Sequence, residues 1–277
     1  MPHSAVRMPE GFQQHLRLDD EEVVKTLNSG IDLCVPNVTG FHDYQSASRV
    51  WTDIPRAVLD VNRIPCVEQD PHGIIWMATL ADSTEKIRPM LTQPYAKDEF
   101  EALLGVGYHP FVAAVKSAMQ VAKSRHGIAI NFDLHSMPAS LPRHVTEGPY
   151  KNAYLRGSRA ERGPQSKSKL PDLLLLDKGP VVCSQGISDL ILKIFESKGF
   201  LIERGRVRPS GAAPTANMIY GDPPNGMHSI SIEIVGRTFE PLRGQGMIKY
   251  NPKGEKEMRE AFYAVFKALE SLSPNSA

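Results

Sequence analysis

A carboxylate and an imidazole two residues apart, Asp133 and His135, form the pattern in this chain with the clearest chemical content. Imidazole is the commonest side-chain ligand of transition metals. A neighbouring carboxylate often orients such a ring by accepting the hydrogen bond from its other nitrogen. The same pattern also suits a core histidine that is hydrogen-bonded to a nearby loop. The pair therefore indicates either part of a metal site or a structural contact.

A second candidate is Glu233, which lies within the apolar segment from Ser229 to Val235. A carboxylate in a buried strand must be paired or hydrogen-bonded, otherwise its pKa rises, and such groups are frequent general bases. Ser229, Ser231 and Glu233 alternate, however, and would share one face of a strand. The alternative is therefore a glutamate on the solvated face of an edge strand.

A third candidate is the segment that runs from Arg56 through Asp60 to Asn62 and Arg63. The apolar residues from Arg56 to Val61 predict a short strand that ends at the Asn-Arg dipeptide. A guanidinium beside an amide can bind a carboxylate, since arginine offers a two-pronged donor and asparagine adds a further one. Asp60 would hold either arginine in position. A surface network of ion pairs is the alternative.

These residues are positioned by strands that alternate with helices. Helices are predicted for residues 19–28, 98–104, 111–124, 188–198 and 255–269, and strands for residues 56–61, 128–132, 200–204 and 229–235. Gly127 ends one helix, and the strand that follows presents His135 at its carboxyl end, where open α/β sheets bind ligands. This alternation predicts an α/β sandwich around a mixed sheet.

Two basic regions have no obvious place in that pattern. Residues 138–169 are rich in Gly, Pro, Lys and Arg, and they predict a long loop that is either a lid or a solvated insertion. Arg204, Arg206 and Arg208 alternate at the end of a strand. They would either bind an anionic substrate or face solvent.

The overall composition sets limits on the class of protein. The chain has 277 residues with 41% apolar and 23% charged side chains, which is ordinary for a globular protein. A net charge of +1 gives no general attraction to nucleic acid or to anionic membranes. No membrane span or signal peptide is predicted. The three cysteines, Cys34, Cys66 and Cys183, are widely spaced and odd in number, which favours a reduced, cytoplasmic protein.

Taken together, the motifs resemble the N-formylglutamate amidohydrolases, a family within the zinc carboxypeptidase-like and aspartoacylase-like hydrolases. The resemblance runs in order from residue 2 to about residue 240. Its motifs are Pro2-His3-Ser4-Ala5 with Pro9, Gly30-Ile31-Asp32, Arg56 to Asp60-Val61-Asn62-Arg63, Asp133-Leu134-His135-Ser136, Pro171-Asp172 with Gly179 and Cys183, and Tyr220-Gly221-Asp222-Pro223 with Gly226, His228 and Glu233. Each motif alone is weak, whereas six in order are difficult to obtain by chance.

The resemblance implies a single domain over residues 1–277 with a three-layer, zinc-carboxypeptidase-like sandwich and a mostly parallel sheet. It implies one divalent metal, zinc, bound by His3, Asp32 and His135. Glu233 would be the general acid/base, Asp133 would orient a histidine, Asn62 and Arg63 would bind a substrate carboxylate, and Arg56 a second one.

The implied reaction is hydrolysis of a small N-acyl amino acid, with N-formyl-L-glutamate converted to formate and L-glutamate in histidine degradation. The implied partner is this small molecule rather than nucleic acid or a membrane, and the resemblance permits a homo-oligomer.

Several positions depart from the family pattern. Ala5 replaces a glycine, Ile31 a threonine and Ser231 a glutamine. A second hypothesis is therefore a non-catalytic family member that binds a small carboxylate or a protein partner. A serine hydrolase based on Ser136 is a third, weaker one, because no Gly-x-Ser-x-Gly motif surrounds that residue.

Overall fold

The structure is a computed structural model. It describes residues 11–21, 23–24, 27, 35, 39–40, 43–65, 74–75, 89–136, 171–177, 181–204, 217–234, 239–241, 248–250 and 252–272. For residues 217–218, 239–241 and 248–250 it describes the backbone alone. The predicted basic loop at residues 138–169 and the predicted one-domain organisation of residues 1–277 therefore extend beyond the described residues.

A four-stranded mixed sheet forms the centre of the described chain. Its strands are β1 (Ala129–Ser136), β2 (Leu173–Leu176), β3 (Ile202–Arg204) and β4 (Met227–Ile234), in the order β1-β4-β2-β3. β1 runs parallel to β4 and β2 runs parallel to β3, whereas β4 and β2 are antiparallel. A separate antiparallel pair joins β5 (Phe239–Pro241) to β6 (Ile248–Tyr250).

Helices cover both faces of this sheet. They are α1 (Lys97–Leu103), α2 (His109–His126), α3 (Gln185–Ser197), α4 (Asn217–Tyr220) and α5 (Pro252–Glu270). A π-helical turn, Leu104–Tyr108, joins α1 to α2, and two 3-10 turns span Gln13–His15 and Pro223–Asn225. Residues 21, 23, 24 and 27 of the predicted first helix are also helical. Among the described helices, none has the length and apolar character needed to cross a membrane.

The apolar core is divided between the two faces of the sheet. On one face, α3 and α5 share a buried cluster with apolar residues of β1, β2 and β4. On β1 and β4 these residues are even-numbered, and on β2 they are odd-numbered. The cluster includes Leu134, Leu173, Leu175, Ile191, Phe195, Ile230, Ile232, Ile234, Phe262 and Val265. On the other face the buried residues of α2, Phe111, Val115 and Met119, pack with residues 57–61. The predicted α/β sandwich, with three layers around a mixed and mostly parallel sheet, is therefore confirmed.

The junction between α2 and β1 sets the position of the candidate histidine. Gly127 follows the last residue of α2 with a φ of 74°, a left-handed conformation that favours glycine, and its amide donates to the carbonyl of Lys123. Two residues later, the amide of Ala129 donates to the carbonyl of Gly226, which aligns the starts of β1 and β4. The predicted helix stop is therefore confirmed.

The predicted strand from Arg56 to Val61 is wrong, because this segment is a series of turns. The amides of Val58 and Leu59 both donate to the carbonyl of Pro55, and the amide of Arg63 donates to the carbonyl of Asp60. Most of these backbone hydrogen bonds are local, whereas the amide of Asp60 donates to the carbonyl of Ile74 over 2.7 Å. The apolar residues are still buried, which is why their pattern resembled a buried strand.

Candidate active site

The odd-numbered residues of β1 and β4 form a row of polar pairs on the face that carries α2. The parallel register places Asn131 opposite Ser229, Asp133 opposite Ser231, and His135 opposite Glu233. In the first pair, the amide of Asn131 donates to the Ser229 hydroxyl over 2.9 Å. A buried polar row of this kind is costly unless its members are hydrogen-bonded, and these strands supply the partners for one another.

The second pair connects directly to His135. The two oxygens of the Asp133 carboxylate have different partners. Oδ1 lies 2.8 Å from Nε2 of His135, and Oδ2 accepts a hydrogen bond from the Ser231 hydroxyl over 2.9 Å. Asp133 and His135 are both buried. A carboxylate this close to Nε2 favours the proton on that nitrogen, so that Nδ1 becomes the nitrogen able to bind a metal. The structure thus brings Asp133 and His135 together as the sequence predicts.

Glu233 lies directly across from His135 on the neighbouring strand. Adjacent strands are about 4.8 Å apart, so the two residues are neighbours on the same face. β4 is paired with β1 on one side and β2 on the other, and Ser229 and Ser231 are buried. The alternative of a solvated face on an edge strand is therefore wrong. Glu233 itself is half-buried, at the carboxyl end of the strand.

The turn around Asp60 reaches the same histidine. Asp60 is completely buried, and its Oδ1 accepts the amide of Asn62 over 3.0 Å. Its Oδ2 lies 3.2 Å from Nη2 of Arg56 and 3.7 Å from Nε of Arg63. The Asn62 side-chain amide nitrogen also lies 2.9 Å from Nε2 of His135. An NH2 group there would donate to an unprotonated Nε2, whereas the amide oxygen in its place would accept from the protonated Nε2 that Asp133 favours. Asp60 thus holds both arginines, and Asn62 is placed beside the candidate metal ligand.

A metal site can be assessed only in part. His3 and Asp32, two of the three predicted ligands, lie outside the described residues. Within the described part, no group of three His, Cys, Asp or Glu side chains could hold a metal ion. His135, oriented through Nε2 by Asp133, nevertheless has the arrangement of an imidazole ligand. The donor present therefore fits a metal ligand, and the predicted three-residue site remains a prediction.

Other residues that the sequence or the family resemblance singled out lie away from the residues around His135. Arg204 is on β3, the strand farthest from β1, and it is held by Asp177 at 3.0 Å and Asp189 at 2.8 Å. Arg204 thus lies on an edge strand of the described sheet with 30% of its side chain exposed, and its guanidinium is ion-paired; Arg206 and Arg208 lie outside the described residues. Asp172 accepts the amide of Leu201 over 2.8 Å, which is a structural role.

His228, also part of the resemblance, is buried at the start of β4, five residues before Glu233. Its Nδ1 accepts the amide of Ser184 over 3.2 Å, and burial lowers its pKa. This places His228 at the opposite end of the strand from His135 and in a structural contact.

Sequence reasoning missed Tyr220 as a candidate side chain. Tyr220 is buried, and its hydroxyl has no hydrogen-bond partner in the described part of the chain. Burial raises its pKa, and the nearby Tyr108 and Asp133 raise it further. Together with Asn62, Asn131 and Asp133 it lines a cavity of about 680 Å³ along β1. The motif that begins at Tyr220 gave no signal that the tyrosine hydroxyl itself would be buried near Asp133.

Comparison with known proteins agrees with this arrangement. The family model described as N-formylglutamate amidohydrolase matches residues 1–239. Among solved structures, the crystal structure of N-formylglutamate amidohydrolase from Ralstonia eutropha is similar with a TM-score of 0.69 at 20% identity, covering 98% of this chain and 91% of that one. A gene product from Agrobacterium tumefaciens has a TM-score of 0.47 at 14% identity, covering 80% and 71%. No curated protein matches the sequence significantly.

The family match indicates a hydrolase of the amidohydrolase class. Because its family model spans most of the sequence, the chain belongs to the N-formylglutamate amidohydrolase family.

Proposed function

We propose that this protein is a metal-dependent amidohydrolase that cleaves the C–N amide bond of a small N-acyl amino acid, with N-formyl-L-glutamate as the first candidate. The observation that carries the proposal is the convergence of residues from distant parts of the chain. Asn62 lies within 2.9 Å of His135, and Glu233 lies opposite His135 on the adjacent strand. The widely spaced cysteines suggest the cytoplasm as its compartment.

Three residues would hold the metal, which we take to be zinc: His3, Asp32 and His135. Two imidazoles and a carboxylate are a ligand set that zinc accepts, although other transition metals also use it. When bound, such an ion would polarise the amide carbonyl and make water more acidic. His135 would contribute Nδ1, because Asp133 and Asn62 both lie at the Nε2 side of its ring.

Glu233 would serve as the general acid/base. Hydrolysis needs a group that removes a proton from the attacking water and returns a proton to the leaving nitrogen. Glu233 suits this task because it is half-buried at the end of a central strand, one strand spacing from His135. A carboxylate there is accessible to a small substrate and remains close to the ligand residue.

Arg63 and Asn62 would bind the carboxylate of the substrate, and Arg56 would bind a second carboxylate. Both arginine side chains are largely buried, with 21% of Arg56 and 17% of Arg63 exposed, and both approach the same oxygen of Asp60. Two guanidinium groups in one turn beside Asn62 supply forked donors, which suit an anionic substrate with one or two carboxylates.

The direct experiment measures metal content and formate release on the same purified protein. Elemental analysis should find one zinc or similar ion per chain, and the protein should release formate from N-formyl-L-glutamate. Chelation should abolish the activity and added metal should restore it. Protein with a folded circular-dichroism spectrum, no metal and no turnover would instead support the non-catalytic, carboxylate-binding alternative.

A further inference from the structure

We propose that Ser231 is a positioning residue for His135 and that it acts through Asp133. The Ser231 hydroxyl would fix the Asp133 carboxylate, and the carboxylate would fix the orientation and tautomer of the imidazole. This inference rests on the proposed function, because it assigns Ser231 a part in preparing His135 to bind metal. No contact between Ser231 and the substrate or the metal is involved.

The three side chains form a continuous chain across two strands. Ser231 is 6% exposed, Asp133 7% and His135 4%, so solvent competes little for these hydrogen bonds. The links are short: 2.9 Å from the serine Oγ to Oδ2, and 2.8 Å from Oδ1 to Nε2. Hydrogen bonds to an ionised carboxylate in a buried site are stronger than those between neutral groups.

The hydrogen bond from Ser231 to Oδ2 of Asp133 is the contact on which this role depends. The terminal torsion of aspartate is broad, so each bond to a carboxylate oxygen narrows the orientation of the group. Ser231 contributes one such bond, because the parallel register places it directly opposite Asp133. With Oδ2 bonded to Ser231, Oδ1 is directed at Nε2. The carboxylate then favours the proton on Nε2, which requires the neighbouring Asn62 side chain to present its amide oxygen to that nitrogen, and Nδ1 becomes the donor for a metal.

The neighbouring pair on the same two strands provides a matched control. Ser229 is also buried, faces the same side of β4 and accepts a 2.9 Å hydrogen bond from Asn131, its partner across the strands. This pair lies two residues farther from the His135–Glu233 pair along each strand than Asp133 and Ser231 do. Ser229→Ala and Ser231→Ala therefore remove the same atom from equivalent strand positions, and only the second one interrupts the link to the histidine.

The test uses the full chain and two independent readouts. First, ¹H–¹⁵N correlation spectra of the metal-stripped protein, recorded well above the ordinary histidine pKa of about 6.5, report the tautomer of each ring. His135 is assigned from a His135→Gln spectrum. Second, competition with a chromophoric chelator measures the affinity for zinc. Loss of an outer partner of a metal-binding histidine typically weakens metal affinity by about 10- to 100-fold.

We expect Ser231→Ala to convert His135 from the Nε2–H tautomer to a mixture and to weaken zinc binding by roughly tenfold, the lower end of that range. Ser229→Ala should leave both readouts unchanged, and Ser231→Thr, which keeps the hydroxyl, should restore them. The inference is overturned if both alanine variants behave alike, or if the tautomer is unchanged in Ser231→Ala.

If Ser231→Ala does not fold, the Thr variant decides the matter by the same spectra: a changed tautomer despite the retained hydroxyl contradicts the inference. If the wild-type protein binds neither zinc nor a similar transition-metal ion, the proposed function fails. The tautomer spectra of the metal-stripped protein still decide the role of Ser231 in that case.

Discussion

The two faces of the β1–β4 pair differ in almost every respect, although the same sixteen residues build both. Apart from Ser136 and His228, the even-numbered face is apolar and packs with α3 and α5, as represented by Leu134, Ile232 and Ile234. The odd-numbered face carries the three polar pairs that end at His135 and Glu233. Both faces are largely buried, so exposure to solvent does not explain the difference.

We expect the apolar face to contribute mainly to stability and the polar face mainly to activity. The apolar face stabilises the fold by removing side chains from water and packing them closely. The polar face gains much less, since its hydrogen bonds mainly offset the loss of hydration. A polar row in a buried layer thus contributes little to stability, which agrees with the role in catalysis that we propose for it. Substitutions on the two faces should consequently affect different measurements.

The largest effect is expected for His135→Ala, at the end of the polar row. This change should remove both the bound metal and the turnover, because it deletes a ligand nitrogen, while the circular-dichroism spectrum remains folded. Elemental analysis and a formate-release assay provide the measurements. A variant that keeps stoichiometric metal and full turnover would show that the site assignment is wrong.

On the apolar face, Ile232→Ala should cost about 2 to 5 kcal/mol of unfolding free energy, the usual range for large-to-small core substitutions. Ile232 is fully buried and immediately follows Ser231 on the opposite face. Denaturant unfolding measures the loss, and kcat per folded molecule should stay near the wild-type value. A stable variant with a strongly reduced kcat would remove the distinction between the two faces.

A smaller effect is expected for Arg63→Ala, in the turn beside the polar row. Because charged hydrogen bonds contribute roughly 1.5 to 3 kcal/mol, KM for a carboxylate substrate should rise by about 10- to 100-fold. KM for the corresponding amide analogue should change much less. Equal losses on both substrates would indicate that Arg63 acts only through its contact with the buried Asp60.

The smallest effect is expected for Tyr220→Phe. A buried hydroxyl without a hydrogen-bond partner lowers the stability of the fold. The Tyr220 hydroxyl has no such partner in the described part of the chain. Removing it should raise the unfolding free energy by about 1 kcal/mol. Thermal or denaturant unfolding tests this expectation. A decrease in the unfolding free energy of about 1 kcal/mol would mean that the Tyr220 hydroxyl makes a stabilising hydrogen bond.

Periodicity and helix-ending signals predicted much of the fold. The stop at Gly127, the helix that precedes it and the strands that carry His135 and Glu233 all lie within a few residues of their predicted bounds. These elements are long or strongly patterned, so local preferences and tertiary packing agree. Motif order then identified the family, which the match over residues 1–239 confirms.

The errors have physical causes as well. The segment from Arg56 to Val61 resembled a strand because buried turns and buried strands share an apolar pattern; only the hydrogen bonds to Pro55 distinguish them. The four leucines of β2 lack alternation and gave no strand prediction.

The links between residues could not be predicted at all. That Ser231 bonds to Asp133, and that Asn62 reaches His135, depends on strand register and on a turn 73 residues away in sequence. Local patterns contain no information on either.

The central claim is that the polar face of β1 and β4 carries out metal-dependent amide hydrolysis, and kcat of Glu233→Gln tests it most directly. Glutamine keeps the size of the side chain but accepts no proton, so kcat on N-formyl-L-glutamate should fall by about 100-fold or more, the usual scale for acid/base catalysis. Metal content and KM should stay near wild type. An unchanged kcat in the metal-replete variant would contradict the account.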